Sequence, residues 1–151
     1  MENKTVTADL KSTVNDAPAA TLPADYLTDG YYAVADNGKE YLRPQIVATY
    51  ARGIAAALAS MKPADINAMI RELKRSKKSS LPYEARQTAA YEMLPRAISL
   101  VRRKRAPQLF VDFVSANLDA IHNDNDWTAY YRHLEAIAGF MSLHQGGGET
   151  R

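Results

Sequence analysis

Four prolines divide this chain into helical rods. Pro44, Pro63, Pro82 and Pro107 each stand immediately ahead of a run whose apolar residues recur every third or fourth position. Proline fits the first turn of a helix, because its missing N–H is one that no helical carbonyl would accept and its φ is already helical. Behind Pro44 come Ile46, Val47, Tyr50, Ile54, Ala57 and Leu58. Behind Pro63 come Ile66, Met69, Ile70 and Leu73, and behind Pro82 come Ala85, Ala89, Ala90, Met93, Ala97, Ile98 and Val101. Pro107 precedes Leu109, Phe110, Phe113, Val114, Leu118 and Ile121. A fifth run follows the polar turn Asn123–Asp126, with Trp127, Tyr130, Tyr131, Leu134, Ile137, Ala138 and Met141 at helical spacing and Asp124 or Asn125 as candidate N-cap. Pro95 falls inside the third run and predicts a kink near residues 91–94. With no credible strand run, the pattern predicts an all-α bundle of about five helices spanning residues 25–147.

The flanks read differently. Residues 1–24 have no sustained apolar period and predict a flexible tail. Asp29-Gly30 and Asp36-Asn37-Gly38 are turn signals in an irregular lead-in that pins aromatics on the domain. Gly146–Gly148 predicts the end of the last helix, with 148–151 a loose tail.

Charge is strongly segregated. Residues 1–40 carry three basic and seven acidic side chains, residues 41–107 fourteen and four, and residues 108–151 two and six, so nets of −4, +10 and −4 lie under an overall charge of +2. A basic block of that size meets phosphate, an anionic membrane surface or an acidic partner, or is balanced by the acidic ends of its own fold. Within it, Arg71, Lys74, Arg75 and Lys78 repeat at i, i+3, i+4 and i+7, on the side of their helix away from the apolar stripe. Arg96 and Arg103 share a face of the third helix, and Arg102-Arg103-Lys104-Arg105 closes it, where positive charge suits the carbonyl end of the dipole. If the two helices pack side by side, these cations give phosphates a contiguous landing surface, without reading sequence.

Catalytic chemistry is thinly supplied. The chain has no cysteine, which removes disulfides, thiolate zinc sites and cysteine nucleophiles. His133 and His144 lie eleven residues apart, about 16 Å along one helix, too far to share a metal ion. All three histidines read as surface or cap residues, and Asp124 and Asp126 as capping groups. No phosphate-binding loop, dinucleotide fingerprint, HExxH or GxSxG is present. Trp127, Tyr130 and Tyr131 could stack bases, but their spacing is that of a core stripe. The expectation is a non-enzyme without cofactor or metal. No run is long and apolar enough for a membrane span and no signal segment opens the chain, so a cytoplasmic location is expected.

The helix order carries a resemblance. Phe110-Val111-x-Phe113-Val114, Leu118-x-x-Ile121, then Trp127-x-x-x-Tyr131-x-x-Leu134-Glu135-Ala136-Ile137-Ala138 and Gly146-Gly147 resemble the small helical subunit of the type III-A CRISPR effector, the Csm complex. Tyr50-Ala51-x-x-Ile54-Ala55, Pro63-Ala64-Asp65-Ile66 and Leu94-Pro95-Arg96 resemble its earlier helices, so the likeness spans about residues 45–147. Asn67 stands where that family often has arginine, and Ile98-Ser99-Leu100-Val101 replaces an aromatic stretch. The resemblance implies a non-catalytic subunit in antiviral defence, stacking in several copies along the guide RNA–target RNA duplex beside the other Csm subunits. Two other readings fit the basic face: a DNA-binding regulator with the second and third helices as a helix-turn-helix, and an adaptor that meets an acidic protein. Against the former, Ser76–Leu81 reads as a long, lysine-rich connection where that motif needs a tight turn.

Overall fold

A computed structural model describes the backbone of residues 21–78 and 80–149, with side chains over 21–77 and 80–144. The expected tail lies largely outside the described residues; at its near end Leu22 already packs against the core. The elements are β1 (Tyr32–Val34), β2 (Glu40–Leu42), α1 (Pro44–Val47), α2 (Thr49–Ala57), α3 (Pro63–Lys78), α4 (Tyr83–Tyr91), α5 (Met93–Arg102), α6 (Gln108–Ala120) and α7 (Asp124–Glu149). α1 and α2 form one broken rod and α4 and α5 another, so the chain builds five helices, as its proline punctuation predicts.

Both breaks have local causes. Pro95 cannot donate to the carbonyl of Tyr91, and the rod is interrupted between them, at Glu92. The first break, at Ala48 (φ −127°, ψ −93°), has no proline signal. There the Ile46 carbonyl accepts instead from the ring Nδ1–H of His133, 2.6 Å away on α7.

α7 is the central strut. It packs against α1, α2, α3 and α4, and Trp127, Tyr130, Leu134, Ile137 and Met141 are buried along it. Its N-terminus is capped one residue earlier than the sequence suggests: Asn123 Oδ1 accepts from the Asp126 N–H (2.8 Å), while Asp126 Oδ2 accepts from the His122 N–H (2.9 Å). The reciprocal pair works because the side chain of an N-cap reaches the third helical N–H, which excludes Asp124 and Asn125. Gly146–Gly148 does not end α7, whose backbone stays helical through Glu149, so the expected C-terminal tail begins later; glycine permits a left-handed stop but does not impose one.

Two further expectations are corrected. The lead-in contains a small antiparallel hairpin, with Tyr32 opposite Leu42 and Val34 opposite Glu40. Its strands are three residues each, too short to show the alternation that betrays a strand, and Gly38 at φ +85° closes the turn. Ile98 is exposed rather than buried. The break at Glu92 resets the register, and α5 buries Met93, Ala97 and Leu100, which turns Ile98 outward.

Candidate nucleic-acid interface

Of the seven cations the sequence singles out, Arg71, Lys74, Arg75, Arg96, Arg102 and Arg103 are exposed. Lys78 is the last residue of α3, and its side chain lies outside the described residues. α3 buries Ile66, Met69, Ile70 and Leu73, so its other sides are free to carry charge.

The two cationic groups do not merge in the expected way. Asp65, Ala68 and Met69 of α3 line one depression with Arg96 and Ser99 of α5 and Arg103 just beyond it. Met69 and Glu72 line another with Glu92, Met93 and Arg96. The flank of α3 that faces α5 therefore carries two carboxylates, Asp65 and Glu72. At about 100° per residue, Arg71 and Lys74 fall on the opposite flank, and Arg75 is the stripe member nearest α5. That arginine is engaged: its Nη1 donates to Glu72 Oε2 at 2.8 Å.

Ion pairing sorts the basic block. Arg75 is held by Glu72, Arg86 by Asp124 and Arg105 by Asp65. Arg86 is furthermore the least exposed of these arginines and lies over the rings of Tyr83 and Trp127. Arg71, Lys74, Arg96, Arg102, Arg103 and Lys104 make no ion pair among the described residues. Arg43, Arg52, Lys62 and Lys77 of the same block make none either; Arg52 lies over the Phe140 ring, Lys77 over the Tyr131 ring, and Arg43 Nη1 donates to the Gly30 carbonyl at 2.8 Å.

Spacing alone does not single out Lys104 and Arg105 as site residues. Within a run of four cations they read as dipole compensation, and only the fold brings Arg105 to Asp65, forty residues away. The aromatic stripe is core as its spacing suggests: Trp127, Tyr130 and Tyr131 are buried, and the indole Nε1–H of Trp127 donates to the Arg86 carbonyl at 2.9 Å.

His133 is misjudged by sequence. It is fully buried, in a hydrogen-bond chain whose direction can be read from its ends. The Ile46 carbonyl can only accept, so Nδ1 carries the proton and Nε2 accepts from the Tyr26 hydroxyl at 2.6 Å. The Tyr26 oxygen accepts from Asn117 Nδ2 at 2.8 Å, and Asn117 Oδ1 accepts from the Tyr31 hydroxyl at 2.7 Å. The second Asn117 N–H goes to the Phe113 carbonyl. Burial pulls the imidazole pKa down to about 4, against a smaller opposing effect of the Ile46 hydrogen bond, and pushes the Tyr26 and Tyr31 hydroxyls above their ordinary range. A neutral, fully bonded histidine away from solvent holds the fold and has no reacting group to offer. Among the described residues no three His, Asp or Glu side chains are grouped to hold a metal ion, and no helix is long and apolar enough to cross a membrane.

Comparisons with protein-family models, with curated proteins and with solved structures found no match.

Proposed function

We propose that this chain is a non-catalytic, RNA-backbone-binding small subunit of a type III-A CRISPR (Csm) effector. In this reading it stacks in copies along the guide RNA–target RNA duplex. The observation that carries it is the set of seven cations without an ion pair among the described residues, Arg71, Lys74 and Lys77 on α3 and Arg96, Arg102, Arg103 and Lys104 on α5 and its terminal turn, beside three arginines already neutralised within the fold. Unpaired surface cations on rigid helices suit a polyanion, because each phosphate contact releases condensed counterions. The helix order, with its proline-headed rods and aromatic last helix, fits the frame the resemblance implies. A groove of about 550 Å³ between the lead-in and the α6–α7 corner carries Asp29, Glu40, Asp119 and Asp126. It supplies a surface of opposite sign for association between copies, which propagates when it does not close.

The regulator reading gains one point and loses a larger one. α3 reaches Lys78, so its connection to α4 is residues 79–82, as short as a helix-turn-helix needs. But α4, which would be the recognition helix, has Arg86 as its one cation, and that side chain is held inside by Asp124, Tyr83 and Trp127. An insertion helix without a free cation is poorly equipped for the major groove.

The test is a salt titration of the full chain against single-stranded RNA, an RNA duplex, duplex DNA and an acidic protein. Steeply salt-dependent binding to RNA of unrelated sequences, and co-purification with the other Csm subunits, is the expected result. Preference for one DNA sequence, or binding to the acidic protein alone, overturns it. The same RNA incubated with Mg²⁺ or Mn²⁺ is expected to remain intact.

A further inference from the structure

The last residue of α5 and the turn that follows it set three cations without an ion pair, Arg102, Arg103 and Lys104, in succession, and the turn is held by backbone hydrogen bonds. Arg103 caps the helix, its N–H bonding to the Ser99 carbonyl at 3.0 Å. The Lys104 N–H then bonds to the Val101 carbonyl (3.0 Å) and the Arg105 N–H to the Leu100 carbonyl (2.8 Å). This is the double closure of a Schellman motif, in which the residue before the last donor takes a left-handed conformation. Glycine normally fills that place because a Cβ is disfavoured there. Here it is Lys104, at φ +61°. Beyond it, Arg105 grips Asp65 in two-point fashion, Nη2 to Oδ1 at 2.7 Å and Nε to Oδ2 at 3.2 Å. Ala106 packs on the core, and Pro107 fixes the entry to α6.

The four cations therefore divide into two tasks. Arg105 stays partly exposed, but its charge is matched by Asp65, whose carboxylate is mostly buried. Arg102, Arg103 and Lys104 are exposed and unpaired. A lysine kept where glycine would relieve the backbone is strain at a surface position, and strain of this kind clusters at ligand clamps. A salt bridge from the next residue to a different helix holds that strained residue in place. We infer that the α5–α6 turn is a preorganised phosphate-binding site. Arg102, Arg103 and Lys104 contact successive phosphates of an RNA backbone, and the Asp65–Arg105 pair positions them without touching the RNA. The inference rests on the RNA-binding reading above and assigns it a site and a supporting strut.

Two substitutions separate this site from a diffuse basic surface. Lys104→Gly removes one charge and the backbone strain together. Asp65→Asn removes the strut while making the protein more positive by one unit. A diffuse surface binds RNA better after Asp65→Asn, whereas a strut-held site binds worse. The full chain is titrated with two unrelated fluorescein-labelled single-stranded RNAs by anisotropy across a salt range, and thermal melting is recorded for each variant. For Lys104→Gly the expected result is a higher melting temperature with about five-fold weaker binding and a salt slope lower by about 0.7. For Asp65→Asn it is binding at least about three-fold weaker for both RNAs despite the added charge, restored by Asp65→Glu. Unchanged affinity in Lys104→Gly, equal or tighter binding in Asp65→Asn, or no restoration by Asp65→Glu overturns the site. The paired variant Arg71→Ala with Lys74→Ala, on the far flank of α3, keeps the two levels apart. If it weakens binding while the turn variants do not, the turn fails and the RNA-binding reading stands. If the parent itself does not bind RNA, both fail.

Discussion

Two polar constellations in this molecule are built on opposite principles. The chain Tyr31–Asn117–Tyr26–His133–Ile46 crosses the core, and its hydrogen bonds close on one another from first donor to last carbonyl. The cations of α3 and of the α5–α6 turn lie on the surface, and most have no partner of opposite charge. Buried polar groups must be satisfied internally, since an unpaired one costs the full desolvation penalty. Exposed charges are under no such constraint, and water tolerates them singly. A closed network is therefore evidence about the fold, while a set of unpaired charges on rigid helices is a surface that the fold does not require and that is free to take a partner. His133, the residue type most often taken for chemistry, belongs to the first kind.

The largest effect should come from opening the closed network at its centre. Asn117 is fully buried and bonds Tyr31, Tyr26 and the Phe113 carbonyl together. Asn117→Ala leaves a cavity and orphaned hydroxyls, with an expected loss of about 3–5 kcal/mol by urea denaturation, in the range of broken buried networks. A loss under about 1 kcal/mol would mean that the two tyrosines find other partners and that the network is not closed in the sense argued.

Protonating His133 attacks the same network from its other end. Its folded pKa, about 4, lies below the ordinary value of 6.5. Between these values the unfolded chain binds the proton and the folded one does not, so stability is complete above pH 6.5 and falls as the pH drops towards 4. At about 1.4 kcal/mol per unit the whole window is worth about 3 kcal/mol, of which about 2 kcal/mol goes between pH 6.5 and 5, above the range where ordinary carboxylates titrate. The titratable side chain against the ring is Tyr26, whose hydroxyl burial pushes above its ordinary range, so it stays protonated throughout this window. Urea titrations of the parent and of His133→Gln at pH 8, 6.5 and 5 check this. The parent should lose stability at the lowest pH and the glutamine variant should not.

The open constellation should respond in the reverse sense, in binding and not in stability. Arg71→Ala with Lys74→Ala is expected to leave unfolding within about 0.5 kcal/mol of the parent. The same pair should lower the RNA salt slope by about 0.7–0.9 per cation, equally for unrelated sequences. Loss of fold stability without loss of salt slope would turn these side chains into packing residues.

What sequence could show follows from the range of the forces involved. Proline-headed runs, apolar periodicity and the Pro95 interruption are local, so the five helices and the buried Trp127, Tyr130 and Tyr131 are legible in the chain. The Ala48 break is not, because its cause is a histidine 85 residues further on. The hairpin strands are too short for a period to show. In the candidate site, the helical spacing of Arg71, Lys74 and Arg75 announces exposed cations correctly. Which of them is neutralised is a matter of neighbours. Glu72 sits three residues from Arg75 and could have been noticed, whereas Asp65 reaches Arg105 only through the packing of α3 beside the end of α5.

That difference between two acidic residues on one flank of α3 gives the smallest effect and the sharpest test of the comparison. Glu72 and Asp65 each pair with one arginine, yet the pairs differ in kind. The Glu72–Arg75 pair joins neighbours on one helix, with the arginine side chain 72% exposed. Such pairs contribute only a few tenths of a kcal/mol and hold little in place. Breaking it should cost almost no stability and release Arg75 towards a polyanion. Glu72→Gln is therefore expected to leave unfolding within about 0.5 kcal/mol of the parent and to tighten RNA binding by about two-fold or more, raising the salt slope by up to about 0.7 as one more cation becomes available. Asp65→Asn adds the same charge but removes a tie between α3 and the α5–α6 turn, and the expected change in affinity has the opposite sign. Two substitutions that change the net charge equally, seven residues apart on one helix, are thus expected to move RNA affinity in opposite directions. If both tighten binding, net charge alone governs the surface and the strut has no part in it; if both weaken it, the Glu72–Arg75 pair is a structural element of the site and belongs with the closed network.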